Sequence, residues 1–176
     1  FLRPSRHKLS NSGTFFVAER TDFESVMKFR FVWIGKTKEK NWRALEEAYL
    51  QRLSHFVKFE ITELKESAAH ETKEAEGNRI ISSLNQNSFV CLLDVKGQEI
   101  DSHQISRKIE SWQNRSVKEV AFIICGQDGA SPEVVERADY SLSLSRLTLT
   151  HEMARTILIE QLYRGFTIIK GFPYQK

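Results

Sequence analysis

Ser88-Phe-Val-Cys-Leu-Leu-Asp94 is apolar from Phe89 until its closing carboxylate, and Glu119-Val-Ala-Phe-Ile-Ile-Cys125 repeats the pattern further along. A strand with one wet face alternates apolar and polar residues; an uninterrupted apolar run demands cover on both faces, as in a parallel sheet flanked by helices. Each run leads into a glycine-bearing turn, Asp94-Val-Lys-Gly97 and Gly126-Gln-Asp-Gly129. Working outward, Lys28–Ile34 reads as a first strand rich in aromatic and β-branched residues, closed by Gly35. Asn41 to about Phe56 reads as a helix, because Trp42, Leu45, Tyr49 and Leu53 recur at intervals of three and four. Val57–Thr62 alternates like a half-buried strand, a charged loop runs from Lys65 to Glu71, and a helix follows from about Thr72 to Leu84. A further helix, about Ser102 to Gln113, separates the two apolar strands. Pro132 suits the first turn of a short helix, Tyr140–Leu144 is the last strand, and Thr150 is a suitable N-cap for a terminal helix. Strands alternating with helices make the fold α/β, a mostly parallel sheet with helices on both faces.

At 176 residues the chain suits one domain with a substantial core. Hydrophobic residues at 40% and charged residues at 28% describe a soluble globular protein. No apolar run approaches bilayer length, so no membrane partner is expected. A net charge of +3 is too small to argue for nucleic acid alone, but Ser141 to Lys176 holds five Lys/Arg against two Asp/Glu. That surface suits phosphate, and equally a solvated helix end. Cys91 and Cys125 each sit inside an apolar run, which points to buried free thiols in a reducing cytoplasm rather than to a disulfide. No Cys and His pair has zinc-site spacing, so no metal is expected. Residues 1–26 read as an N-terminal extension, disordered or not native. Arg3, Arg6, Lys8 and three serines precede the first acid, Glu19, and Met27 is a natural start for a single domain over 27–176.

Chemistry concentrates near the C-terminus. Leu142-Ser-Leu-Ser-Arg-Leu-Thr-Leu-Thr-His151 leads into a helix carrying His151 and Arg155 one turn apart, on one face. The leucines of Ser143–Leu149 are costly in water and its hydroxyls costly in a dry core. A loop folded over an amphipathic ligand satisfies both sets, and so does a loop tucked against its own core. The two glycine turns suggest a ligand at the carboxyl edge of the sheet, where loops and helix N-termini converge. No G-x-G-x-x-G or Walker A sequence is present. His151, Arg155, Arg164 and Tyr174 are the polar candidates. Their structural alternatives are a cap, pairing with Glu152 or Glu160, a helix C-terminal charge and a docked tail. Trp42, Tyr49 and Trp112 read as core, and no nucleophilic triad or paired catalytic carboxylates stand out.

From Met27 to Lys176 the chain resembles the RlmH-type (YbeA-like) methyltransferases of the SPOUT class. The matching motifs are Leu93-Asp94-x-x-Gly97, Gly126-x-x-Gly129, Leu144-Ser-x-Leu-Thr-Leu149 with His151, Arg155, Glu160-Gln-Leu-Tyr163-Arg164 and Pro173-Tyr174. The resemblance implies a C-terminal deep trefoil knot and a homodimer in which one subunit's pocket lies beside the other's tail. It implies methylation of pseudouridine at ring nitrogen 3 in 23S ribosomal RNA, with S-adenosylmethionine as donor and the ribosome as partner. Leu93, Gly126 and the run Leu144, Ser145, Arg146, Leu147, Thr148, Leu149 would line the donor pocket. Arg155 and His151 would stabilise the deprotonated base or its phosphate, Tyr174 would position the base, and Arg164 would hold the RNA backbone. Two departures stand out: Gln127 where the family usually has a second glycine, and Gln175 where it commonly has histidine. They leave a non-catalytic RNA- or ribosome-binding relative that keeps the pocket as the alternative.

Overall fold

The computed structural model describes residues 27–66 and 71–175; the extension read at 1–26 lies outside the described residues. The elements are β1 (Lys28–Ile34), α1 (Lys40–Leu53), β2 (Lys58–Leu64), α2 (Lys73–Ser83), β3 (Phe89–Glu99), α3 (Ser102–Asn114), β4 (Glu119–Ile124), α4 (Pro132–Arg137), β5 (Tyr140–Ser143) and α5 (His151–Ile169). A 3₁₀ turn over Pro173–Gln175 ends the chain. The five strands form one parallel sheet in the order β2-β1-β4-β3-β5. Successive strand residues serve opposite faces. Phe29, Phe31, Trp33, Cys91, Phe122 and Ile124 pack under α1, α3 and α5, while Val32, Val90, Leu92, Ala121 and Ile123 pack under α2 and α4. Both faces are covered, as the apolar runs of β3 and β4 require.

Helix starts follow side-chain chemistry. Thr72, Asp101, Ser131 and Thr150 cap α2, α3, α4 and α5 by accepting a bond from a backbone N–H of the first turn, and Asp101 with Gln104 completes a capping box. The turn expected at Asp94–Gly97 takes a different form. β3 continues to Glu99, and its register with β5 slips so that both Leu93 and Gln98 face Leu142. Asp94–Gly97 is thus an excursion within a strand. Its glycine is needed because a Cβ at Gly97 would lie 2.7 Å from the carbonyl carbon of Leu142.

The strand starts are closed by charge. Glu119, buried at the first position of β4, accepts from Asn85 Nδ2 at 2.9 Å and from the Ser88 hydroxyl, and it pairs with Lys28 Nζ at 3.0 Å and Arg30 Nε at 3.3 Å. Burial pushes this carboxyl up, but the bonds from Ser88 and Lys28, with the charge of Arg30, outweigh it and hold the group below its ordinary range. Cys91 and Cys125 are free and buried on opposite faces of the sheet. Burial pushes each thiol up to about 12, which suppresses the reactive thiolate. Among the described residues no helix is long and apolar enough to cross a membrane.

Candidate functional site

A cleft of about 260 Å3 opens at the carboxyl ends of β3, β4 and β5. The middle of β3, where its excursion begins, contributes Leu93, Asp94 and Val95, and the turn after β4 contributes Gly126, Gln127 and Gly129. Leu144, Ser145, Leu147, Thr148 and Leu149 form the wall that runs into α5, and His151 stands at the rim. The position is where open parallel sheets bind ligands, and the mixture of leucine side chains with serine and threonine suits an amphipathic molecule.

The loop holds its shape through its own hydroxyls. Ser143 Oγ donates to the Ser145 carbonyl at 3.0 Å, and Ser145 Oγ accepts from the Leu147 N–H at 2.9 Å. Its serines are satisfied locally while Leu147 remains 74% exposed. Of the run expected to line the pocket, Arg146 alone turns away. Its side chain is 88% exposed and pairs with Glu99 at 2.8 Å, because a cation has no partner against the leucines of the cleft.

The four polar candidates do not converge. His151 is exposed at the first position of α5 and lines the cleft. Arg155 does not share that surface; it is 2% exposed and sits over the Trp33 ring at 4.9 Å. Its guanidinium donates to the Ile34 carbonyl at 2.6 Å and to Thr37 Oγ1 at 3.1 Å, and Thr37 in turn donates to Glu46 at 2.6 Å. Burial lowers the Arg155 pKa and raises that of Glu46, yet the guanidinium stays charged at neutral pH. α5 lies between α1 and α3, so the face carrying Arg155 is turned to the core and the guanidinium finds its partners at the end of β1 and in the loop after it. Glu152 grips the same loop, accepting from the N–H groups of Lys38 at 2.5 Å and Glu39 at 3.3 Å. Sequence reasoning had no signal for this clamp, since residues 34–39 and 152–155 lie far apart in the chain.

Arg164 and Tyr174 meet at the other end of α5. Arg164 Nε donates to Glu160 at 2.9 Å and its guanidinium lies over the Tyr174 ring at 4.6 Å. The Tyr174 hydroxyl donates to Glu160 at 3.0 Å, and its ring meets Tyr163 edge-on at 4.8 Å. Burial and the neighbouring Tyr49 and Glu160 push the Tyr174 phenol up, so it remains a neutral donor. From His151 to Arg164 the helix rises about 20 Å at roughly 1.5 Å per residue. Within one chain, then, the cleft and the tail cluster are separate.

A five-stranded parallel sheet with its cleft at the strand ends and a terminal helix rising from the cleft wall is shared with a known class. The chain belongs to the SPOUT methyltransferases: the family model described as "Predicted SPOUT methyltransferase" matches residues 27–175. Within the class it is similar to the "Ribosomal RNA large subunit methyltransferase H" of Christiangramia forsetii, at 41% identity over 154 residues, covering 84% of this chain and 98% of that protein. It is similar also to the protein of the same name from Enterococcus faecalis, at 37% identity over 159 residues, covering 85% of this chain and all of the relative (100%). In fold it is similar to the structure of a "probable methylase family protein" from Haemophilus influenzae Rd KW20, with a TM-score of 0.52 and 12% identity over 83% of this chain and 67% of that one.

Proposed function

We propose that this chain methylates ring nitrogen 3 of a pseudouridine in 23S ribosomal RNA, with S-adenosylmethionine as methyl donor and the cytoplasmic ribosome as partner. The observation that carries the reading is the cleft walled by Leu144, Ser145, Leu147, Thr148 and Leu149, with Leu93 and Gly126 opposite. The names of the relatives support the RNA class. The chemistry of the lining fits the donor, since leucines suit a flat apolar ring and loop amides suit its polar edges. When bound, S-adenosylmethionine supplies an activated methyl group, so the protein's work is positioning and proton removal. The methyl takes the place of the nitrogen 3 proton. His151, exposed at the rim, is placed to take that proton or to stabilise the base that has lost it. Arg155 acts at one remove: by holding residues 34–37 it fixes the first turn of α5, and so the angle of His151.

Tyr174 and Arg164 would orient the base and hold the RNA backbone, but they lie about 20 Å along the helix from the cleft. A homodimer resolves the separation, with one subunit's tail set beside the other's cleft. The deep trefoil knot implied by the resemblance belongs to the same picture, since a knotted C-terminus holds the loop wall and the tail in fixed relation. Recognition would rest on shape and an unpaired loop base rather than on a groove code.

The test is tritiated methyl transfer from S-adenosylmethionine to ribosomes that carry pseudouridine, beside a matched preparation that lacks it. Incorporation confined to the pseudouridine-bearing ribosomes is the expected outcome. Equal incorporation into both would reject the base assignment. No incorporation despite calorimetric binding of the donor would favour the non-catalytic relative, with Gln127 at the cleft as the first residue to revert to glycine.

A further inference from the structure

The turn after β4 is held from behind by a helix that contributes nothing to the cleft lining. Glu76, in the first turn of α2, accepts a hydrogen bond from the Gly126 N–H at 2.8 Å. Its carboxylate also fills the space that a Cβ on residue 126 would need. The next residue, Gly77, is buried against Ser131, and a Cβ there would collide with that side chain. A glycine at 77 therefore lets α2 approach α4 closely, which is what brings the Glu76 carboxylate to the Gly126 amide. Two further bonds complete the brace. The Gly129 N–H donates to the Gly126 carbonyl at 3.0 Å, and Ser131 caps α4 through the Val134 N–H at 3.4 Å. Residues 126–131 are thus bonded to α2 at Gly126 and packed against it at Ser131, while Gly126, Gln127, Gly129 and Ala130 line the cleft.

We infer that Glu76 is a positioning residue for the donor cleft: the juxtaposition of its carboxylate with the Gly126 amide sets the Gly126–Gly129 wall in its binding shape. The inference rests on the donor-binding reading above. It gives glycine at 126 a reason without appeal to unusual backbone angles: a Cβ there would displace the Glu76 carboxylate. A side chain there would meet the carboxylate, not the ligand.

Four variants test it: Glu76→Ala, Glu76→Gln, Gly126→Ala and the double Glu76→Ala/Gly126→Ala. Amide hydrogen exchange of residues 126–130 is read without ligand, and affinity for S-adenosylmethionine is read by calorimetry. Loss of a hydrogen bond to a charged acceptor predicts faster exchange confined to 126–130 in Glu76→Ala, with binding weakened about tenfold. Glu76→Gln keeps an acceptor and is expected to recover most of both effects. Gly126→Ala is expected to weaken binding more in the wild-type background than in Glu76→Ala, where the obstruction is gone. Unchanged exchange at 126–130 in Glu76→Ala, or binding within twofold of wild type, would overturn the inference. So would faster exchange throughout the domain, which would make Glu76 a general stabiliser. If the wild type itself does not bind S-adenosylmethionine, the functional reading fails, whereas the exchange data still decide whether Glu76 holds the loop.

Discussion

At the starts of the strands Glu119 is buried and met by Lys28, Arg30, Asn85 and Ser88, whereas in the loop beyond their ends Leu147 stands 74% exposed. One edge of the sheet has its polar groups matched within the protein. The other keeps apolar side chains in water, Leu147 and Val95 among them, an arrangement that a ligand or a second chain would relieve. The contrast sets residues matched within the fold apart from those proposed to bind the donor, the former at the starts of β1 and β4 and the latter mostly in the loops after β4 and β5.

The largest break in this contrast is Glu119→Ala. Removing the carboxylate leaves the Asn85 amide and the buried Ser88 hydroxyl without their acceptor, while Lys28 and Arg30 keep Glu60, a loss of about 2 kcal/mol. Urea unfolding should register it, with affinity for S-adenosylmethionine within twofold of wild type. The pH dependence has a definite sign. The Glu119 carboxyl is held below its ordinary value of 4.5, so its contribution is fully present above pH 4.5 and is lost as pH falls through the lower folded value. The variant should lack that part of the acid sensitivity. An affinity that fell with stability would mean the two edges are not independent.

Leu147→Asp probes the open edge. Because the side chain is already exposed, the unfolding midpoint should hold, while donor affinity drops roughly tenfold as a charge faces the apolar part of the ligand. A lower midpoint with unchanged affinity would assign Leu147 to packing. Arg146→Ala is the smallest change. An exposed pair with Glu99 contributes below about 1 kcal/mol, so stability and affinity should both stay near wild type. A marked loss of affinity would return Arg146 to the pocket lining.

Some of this was legible in the residues themselves. Continuous apolarity in β3 and β4 announced two covered faces, and Thr150 marked the start of α5, because both are local properties. The excursion at Asp94–Gly97 was not legible: a glycine required by the approach of Leu142 looks the same in sequence as one required by a turn. The burial of Arg155 is illegible for a related reason. Helical spacing tells which residues share a face, not whether that face meets solvent, and α5 is enclosed by α1 and α3. The cleft residues were found through the 144–149 run, whose mixture of leucine and hydroxyl is unusual for a linker. Glu76 and Glu152 gave no sign, since each acts on a backbone amide distant in the chain.

Helix α5 carries the cleft rim at its first residue and the Arg164–Tyr174 cluster on and beyond its last turns. An α-helix advances about 1.5 Å and turns about 100° with each residue. The length of α5 is therefore also an angular setting. One residue inserted between His151 and Arg164 would swing the tail about a quarter-turn around the axis while lengthening the helix hardly at all. The residue count of this helix is thus constrained alongside its buried face.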